Sequence, residues 1–90
     1  MITARQIKAA RALLGLGQFE VAKLADVGIS TLKRIELASE ISGSARTLWQ
    51  IQTALEDAGI EFIPAEEGKG PGVRLRAEPR RAPRRTAKRK

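Results

Sequence analysis

The sequence predicts a mainly α protein in which four short helices are followed by a brief β extension and a disordered basic tail. Three observations lead there. The 90 residues are 42% apolar but hold only Phe19, Trp49 and Phe62 as aromatics, so the interior must be built from Leu, Ile, Val and Ala, a composition that suits short packed helices. Apolar residues recur at steps of three and four up to about residue 58, with glycine or small polar residues at each break. Beyond Gly59 the step changes to two.

Each element has its own signals. Thr3 with Gln6 three residues later forms a capping box, after which Ala4, Ile7, Ala10, Arg11 and Leu14 keep helical spacing until Gly15 ends the first helix. In the second, Gln18 to Ala25, Val21, Ala22 and Ala25 share one face behind Gly17, a weak N-cap. Asp26-Val27-Gly28 interrupts it. Ile29, Leu32, Ile35 and Glu36 then form one stripe of a third helix to about Leu37, and residues 38–44 read as a loop. Leu48, Ile51, Leu55 and Ala58 mark the fourth helix, with Gly59 at its C-terminal cap. Ile60 and Phe62, then Val73 and Leu75, alternate with polar residues as two strands, joined by a Pro- and Gly-rich loop over 64–72. The expected organisation is 1–58 helical, 59–76 a β-hairpin or a pair of dimerisation strands, and 77–90 tail.

Charge separates the tail from the rest. Residues 1–76 carry ten Lys and Arg against nine Asp and Glu, whereas 77–90 carry seven against one, so most of the net +7 sits at one end. Proline, like charge and the lack of large apolar side chains predict disorder there, and a polyanion is the natural partner. With no Cys and no His, disulfides, Cys/His zinc sites, thiol chemistry and histidine acid–base catalysis are excluded. No apolar stretch matches a signal core or the roughly 20 residues of a membrane span, so a cytoplasmic protein is expected. Glu56-Asp57 and Glu66-Glu67 resemble catalytic carboxylate pairs only superficially, because nothing in the sequence desolvates them. No enzymatic activity, cofactor or metal is expected.

Two helices of about eight residues with three residues between them must cross steeply, as in a helix-turn-helix. Asp26 tolerates the left-handed backbone that such a turn uses, and Val27 supplies an apolar plug beneath it. Ala22, Ala25, Val27, Thr31, Leu32, Ile35 and Glu36 fall at the signature positions of the phage repressor/Cro helix-turn-helix (XRE) family, which the chain resembles over roughly residues 4–58. Gln18 at the head of the second helix and the run Leu48 to Leu55 strengthen the resemblance. It implies a four-helix repressor-like domain.

One inward charge pair is legible without the family. Arg11 lies between Ile7 and Leu14, and Glu36 follows Leu32 by four residues, so both point toward the core. Buried charges require pairing, and an Arg11–Glu36 salt bridge joining the first helix to the third is the economical arrangement. The alternative has both side chains reaching water independently. The resemblance implies the same pair.

The other face of the third helix carries the expected function. Such a helix enters the major groove, where Ile29, Ser30 and Arg34, with Lys33 beside them, reach base edges by the family's pattern. Arg34 can grip guanine with two donors, Ser30 can bond a donor or an acceptor, and Ile29 can pack on a thymine methyl. Gln18 and Thr31 would hold phosphates, aided by the positive end of the second helix. Gly28 and Gly17 depart from the pattern by replacing its usual hydroxyl caps. Taken alone, Lys33 and Arg34 would be read as a solvated face.

An isolated hairpin is marginal in water, so Ile60, Phe62, Val73 and Leu75 need a further surface. A second subunit would supply it, with Trp49 packing there or within the chain; the alternative is a monomer with the hairpin over the fourth helix. The sequence thus points to a cytoplasmic, nucleoid-associated homodimer that binds double-stranded DNA and regulates transcription, more often by repression. The alternative is an antitoxin-like or adaptor protein whose partner protein meets Phe19, Leu24 and the extension.

Overall fold

The computed structural model describes residues 2–38 and 43–76. Four helices, α1 (Ala4–Leu14), α2 (Gln18–Ala25), α3 (Ile29–Leu37) and α4 (Ala45–Asp57), precede two antiparallel strands, β1 (Ile60–Ile63) and β2 (Gly72–Leu75). Residues 39–42 of the expected loop and the whole basic tail, 77–90, lie outside the described residues.

Local chemistry explains the helix ends. At α1 the Thr3 hydroxyl accepts the Gln6 N–H and the Gln6 side chain accepts the Thr3 N–H, which closes the capping box. Gly15 ends the helix in the left-handed conformation at φ 71°. At α2 the glycine N-cap has no side chain to offer, but Glu20 reaches back and accepts the Gly17 N–H at 2.7 Å. Ser44 caps α4 by accepting the Thr47 N–H. Between α2 and α3, Asp26 holds φ 59°, a positive value seen at no other non-glycine position among the described residues.

Ile7, Val21, Leu32, Ile35, Ile51, Leu55 and Ile60 are all but fully buried, so each helix and the first strand contribute to one core. Burial of such a side chain is worth about 1.5–3 kcal/mol relative to exposure. Partly buried Val27 packs against this core from the α2–α3 turn.

The hairpin pairs Ile60 with Leu75, Glu61 with Arg74, Phe62 with Val73 and Ile63 with Gly72. It rests on the same chain, with β1 against α4 and β2 against α1. The chain thus supplies a surface for the strands itself, over α4 as the alternative expectation had it and over α1 as well. Ile60 is fully buried in the core, and Phe62 and Val73 are half-buried against it. A further tie was not legible in the sequence: the buried Gln6 amide donates to the carbonyls of Gly72 at 2.9 Å and Ile63 at 3.3 Å. On the outer face, Arg74 grips Glu61 through two hydrogen bonds. Those bonds hold the Glu61 carboxyl below the ordinary glutamate range.

Candidate nucleic-acid interface

The face of α3 turned away from the core is made by sequence spacing alone. Leu32, Ile35 and Glu36 are buried, which leaves Ser30, Lys33, Arg34 and Leu37, at i, i+3, i+4 and i+7, as one exposed stripe. Among the described residues neither Lys33 nor Arg34 has an ion-pair partner. Both cations are therefore available to an external anion. Leu37, 83% exposed, was missed as part of the stripe because it closes the helical pattern in the sequence.

Ile29 does not belong to this exposed set. It is half-buried and packs against the core, since the first turn of α3 brings it in beside Leu32, so it is less exposed than the sequence suggested. Thr31 is half-buried as well. Its hydroxyl lies 3.7 Å from where a Cβ on Gly28 would stand, an ordinary contact distance.

Behind the stripe lies a polar cluster that sets the placement of α3. Arg11 donates from Nε to one Glu36 oxygen at 2.8 Å and from Nη2 to the other at 2.9 Å, a two-pronged ion pair between α1 and α3. Its remaining terminal nitrogen, Nη1, donates to the Leu16 carbonyl in the α1–α2 connection. The hydrogen bonds to Glu36 hold the Arg11 pKa above its ordinary value. Gln18 is the unanticipated member: its side-chain amide donates to Glu36 at 3.0 Å. Its place on the buried side of α2, three residues before Val21 and four before Ala22, was the available signal. One carboxylate thus joins α1, the head of α2 and α3.

Of the apolar residues expected at a subunit interface, Trp49 is 64% exposed and Leu75 49%, whereas Ile60 is inaccessible. Phe19 and Leu24 of α2 are also largely exposed. Among the described residues no helix is long and apolar enough to cross a membrane, and no cluster of three or more carboxylates is grouped so as to hold a metal ion. Compared with known proteins, the chain matches no family model, and no curated protein matches it.

Proposed function

We propose that this chain is a sequence-specific DNA-binding transcriptional regulator of the repressor/Cro-like helix-turn-helix type, acting as a homodimer that represses. The observation that carries the reading is the exposed stripe of α3, where Ser30, Lys33 and Arg34 stand clear of the core with two cations that have no ion-pair partner among the described residues. A helix presenting such side chains fits the major groove, where arginine pairs two donors with guanine and lysine or serine reads neighbouring groups. The three-residue connection with left-handed Asp26 supports α2 and α3 as the two halves of the motif. Nucleoid association follows from the same reading. Gln18 acts here first as a positioning residue, because its amide group already serves Glu36.

The test is selection of duplexes from a random pool by the purified full chain, followed by footprinting. Arg34→Ala should lose about 1–3 kcal/mol on the selected site and relax one base position. Failure to enrich any sequence, or an unchanged site and affinity in the variant, would remove the reading. Exposed Phe19 and Leu24 favour a second reading, an antitoxin-like or adaptor protein engaged through α2.

A further inference from the structure

Between the first turns of α1, the end of α3 and β2 runs an open groove of about 940 Å³. Arg5 and Lys8 line its helical wall one turn apart, both exposed and neither in an ion pair among the described residues. Leu37 borders it as well, the most exposed large apolar side chain described. The opposite wall, Gly70 to Val73, presents only the side chains of Pro71 and Val73. A Cβ added at Gly70 or Gly72 would meet nothing within 4 Å.

That wall continues into a strand edge that is unpaired among the described residues. The Arg76 N–H donates to the Gly59 carbonyl at 2.8 Å, and bonded pairs alternate along an antiparallel ladder. With the observed register, the bonded pairs are Glu61–Arg74 and Ile63–Gly72, so the N–H and C=O groups of Val73 and Leu75 point away from β1. The groove is lined by residues of the β2 arm, Gly70 to Val73, and by none of β1. Unpaired strand edges accept another extended chain through main-chain hydrogen bonds.

We infer that this groove docks an extended segment of a partner protein whose groove-facing side chains, at every second residue, include both acidic and apolar ones. The segment adds to the β2 edge as a third strand, sets its carboxylates against Arg5 and Lys8, and lays its apolar side chains on Leu37 and Val73. Charge complementarity selects the acidic residues. A nucleic-acid backbone would satisfy the two cations but would leave the strand edge and Leu37 without partners.

The test is a random decapeptide display library panned against the full chain and, in parallel, against the Arg5→Glu/Lys8→Glu double variant. The basic tail is present in both, so its own attraction for acidic peptides cancels. Wild type should enrich peptides with acidic and apolar residues at every second position, which bind the double variant about tenfold or more weakly. Those peptides should shift the Val73 and Leu75 amide resonances, and Val73→Pro, which deletes an edge N–H, should weaken them too. Circular dichroism checks that each variant keeps its helices. No enrichment over the double variant, equal binding to both proteins, or amide shifts confined to α3 would overturn the proposal. So would displacement of the peptide by a short random duplex whose own affinity falls equally in the double variant, since that would assign both cations to phosphate.

Discussion

Glu36 accepts three side-chain hydrogen bonds while its own side chain is only 3% exposed, whereas Arg11 is 21% exposed and so retains a route to water. Removal of either partner is therefore not equivalent. Arg11→Ala leaves a buried carboxylate with only the Gln18 amide and should cost about 4 kcal/mol; Glu36→Ala leaves a cation able to turn outward and should cost nearer 3 kcal/mol. Urea melts of the two variants measure the difference. Equal losses under about 1 kcal/mol would mean that the pair behaves as an exposed one. The pair itself was legible in the sequence, because two charges on apolar stripes have few alternatives. Gln18 was not, because a polar residue at a helix start reads equally well as solvent-facing.

At the scale of elements, α3 begins without a side-chain cap, since Gly28 has none to give. Its backbone, φ −67° and ψ 145°, is open to any residue, and an added Cβ meets nothing closer than the Thr31 hydroxyl at 3.7 Å. Gly28→Ser should therefore stabilise the protein by about 0.5–1 kcal/mol, through the cap and through a less flexible unfolded chain. Thermal melts provide the measurement, and a lowered midpoint would show that Gly28 is needed for closeness rather than tolerated. The helix limits were legible because caps and glycines mark them locally. The seat of the hairpin was not, because alternation in β1 and β2 says that one face is covered without saying by what. The answer depends on Gln6, some sixty residues away, whose role in its own capping box hid its second one. Ile29 misled for a similar reason: a residue at a helix start can turn either way, and here the core claims it.

At the scale of the whole molecule, the proposed dimer has less apolar surface to use than alternation alone suggested, since the chain covers Ile60 itself. Trp49 and Leu75 remain exposed. Sedimentation should show a dimer at micromolar concentration that Trp49→Glu or Leu75→Glu converts to a helical monomer; a wild-type monomer at high micromolar concentration would exclude self-association without DNA. The tail supplies the other molecular-scale expectation. Each of its seven cations that engages phosphate should contribute about −0.9 to the slope of log affinity against log salt. Deletion of 77–90 should flatten that slope on specific and random duplexes alike while the preferred sequence stays the same. A slope unchanged by the deletion would remove DNA from the tail's partners.

The attachment of Gln6 to Gly72 also orders events during synthesis. A ribosome delivers α1 long before the hairpin: until residues 60–63 have emerged, Ile60 is missing from the space between the helices and the Gln6 amide lacks the Ile63 carbonyl, and until residue 72 has emerged it lacks that of Gly72. The four helices that leave the exit tunnel first are thus an unfinished core with a polar group awaiting its acceptor. Completion waits for β2, which makes the closing contact one of high sequence separation, the kind whose loop-closure entropy is met before any contact rewards it.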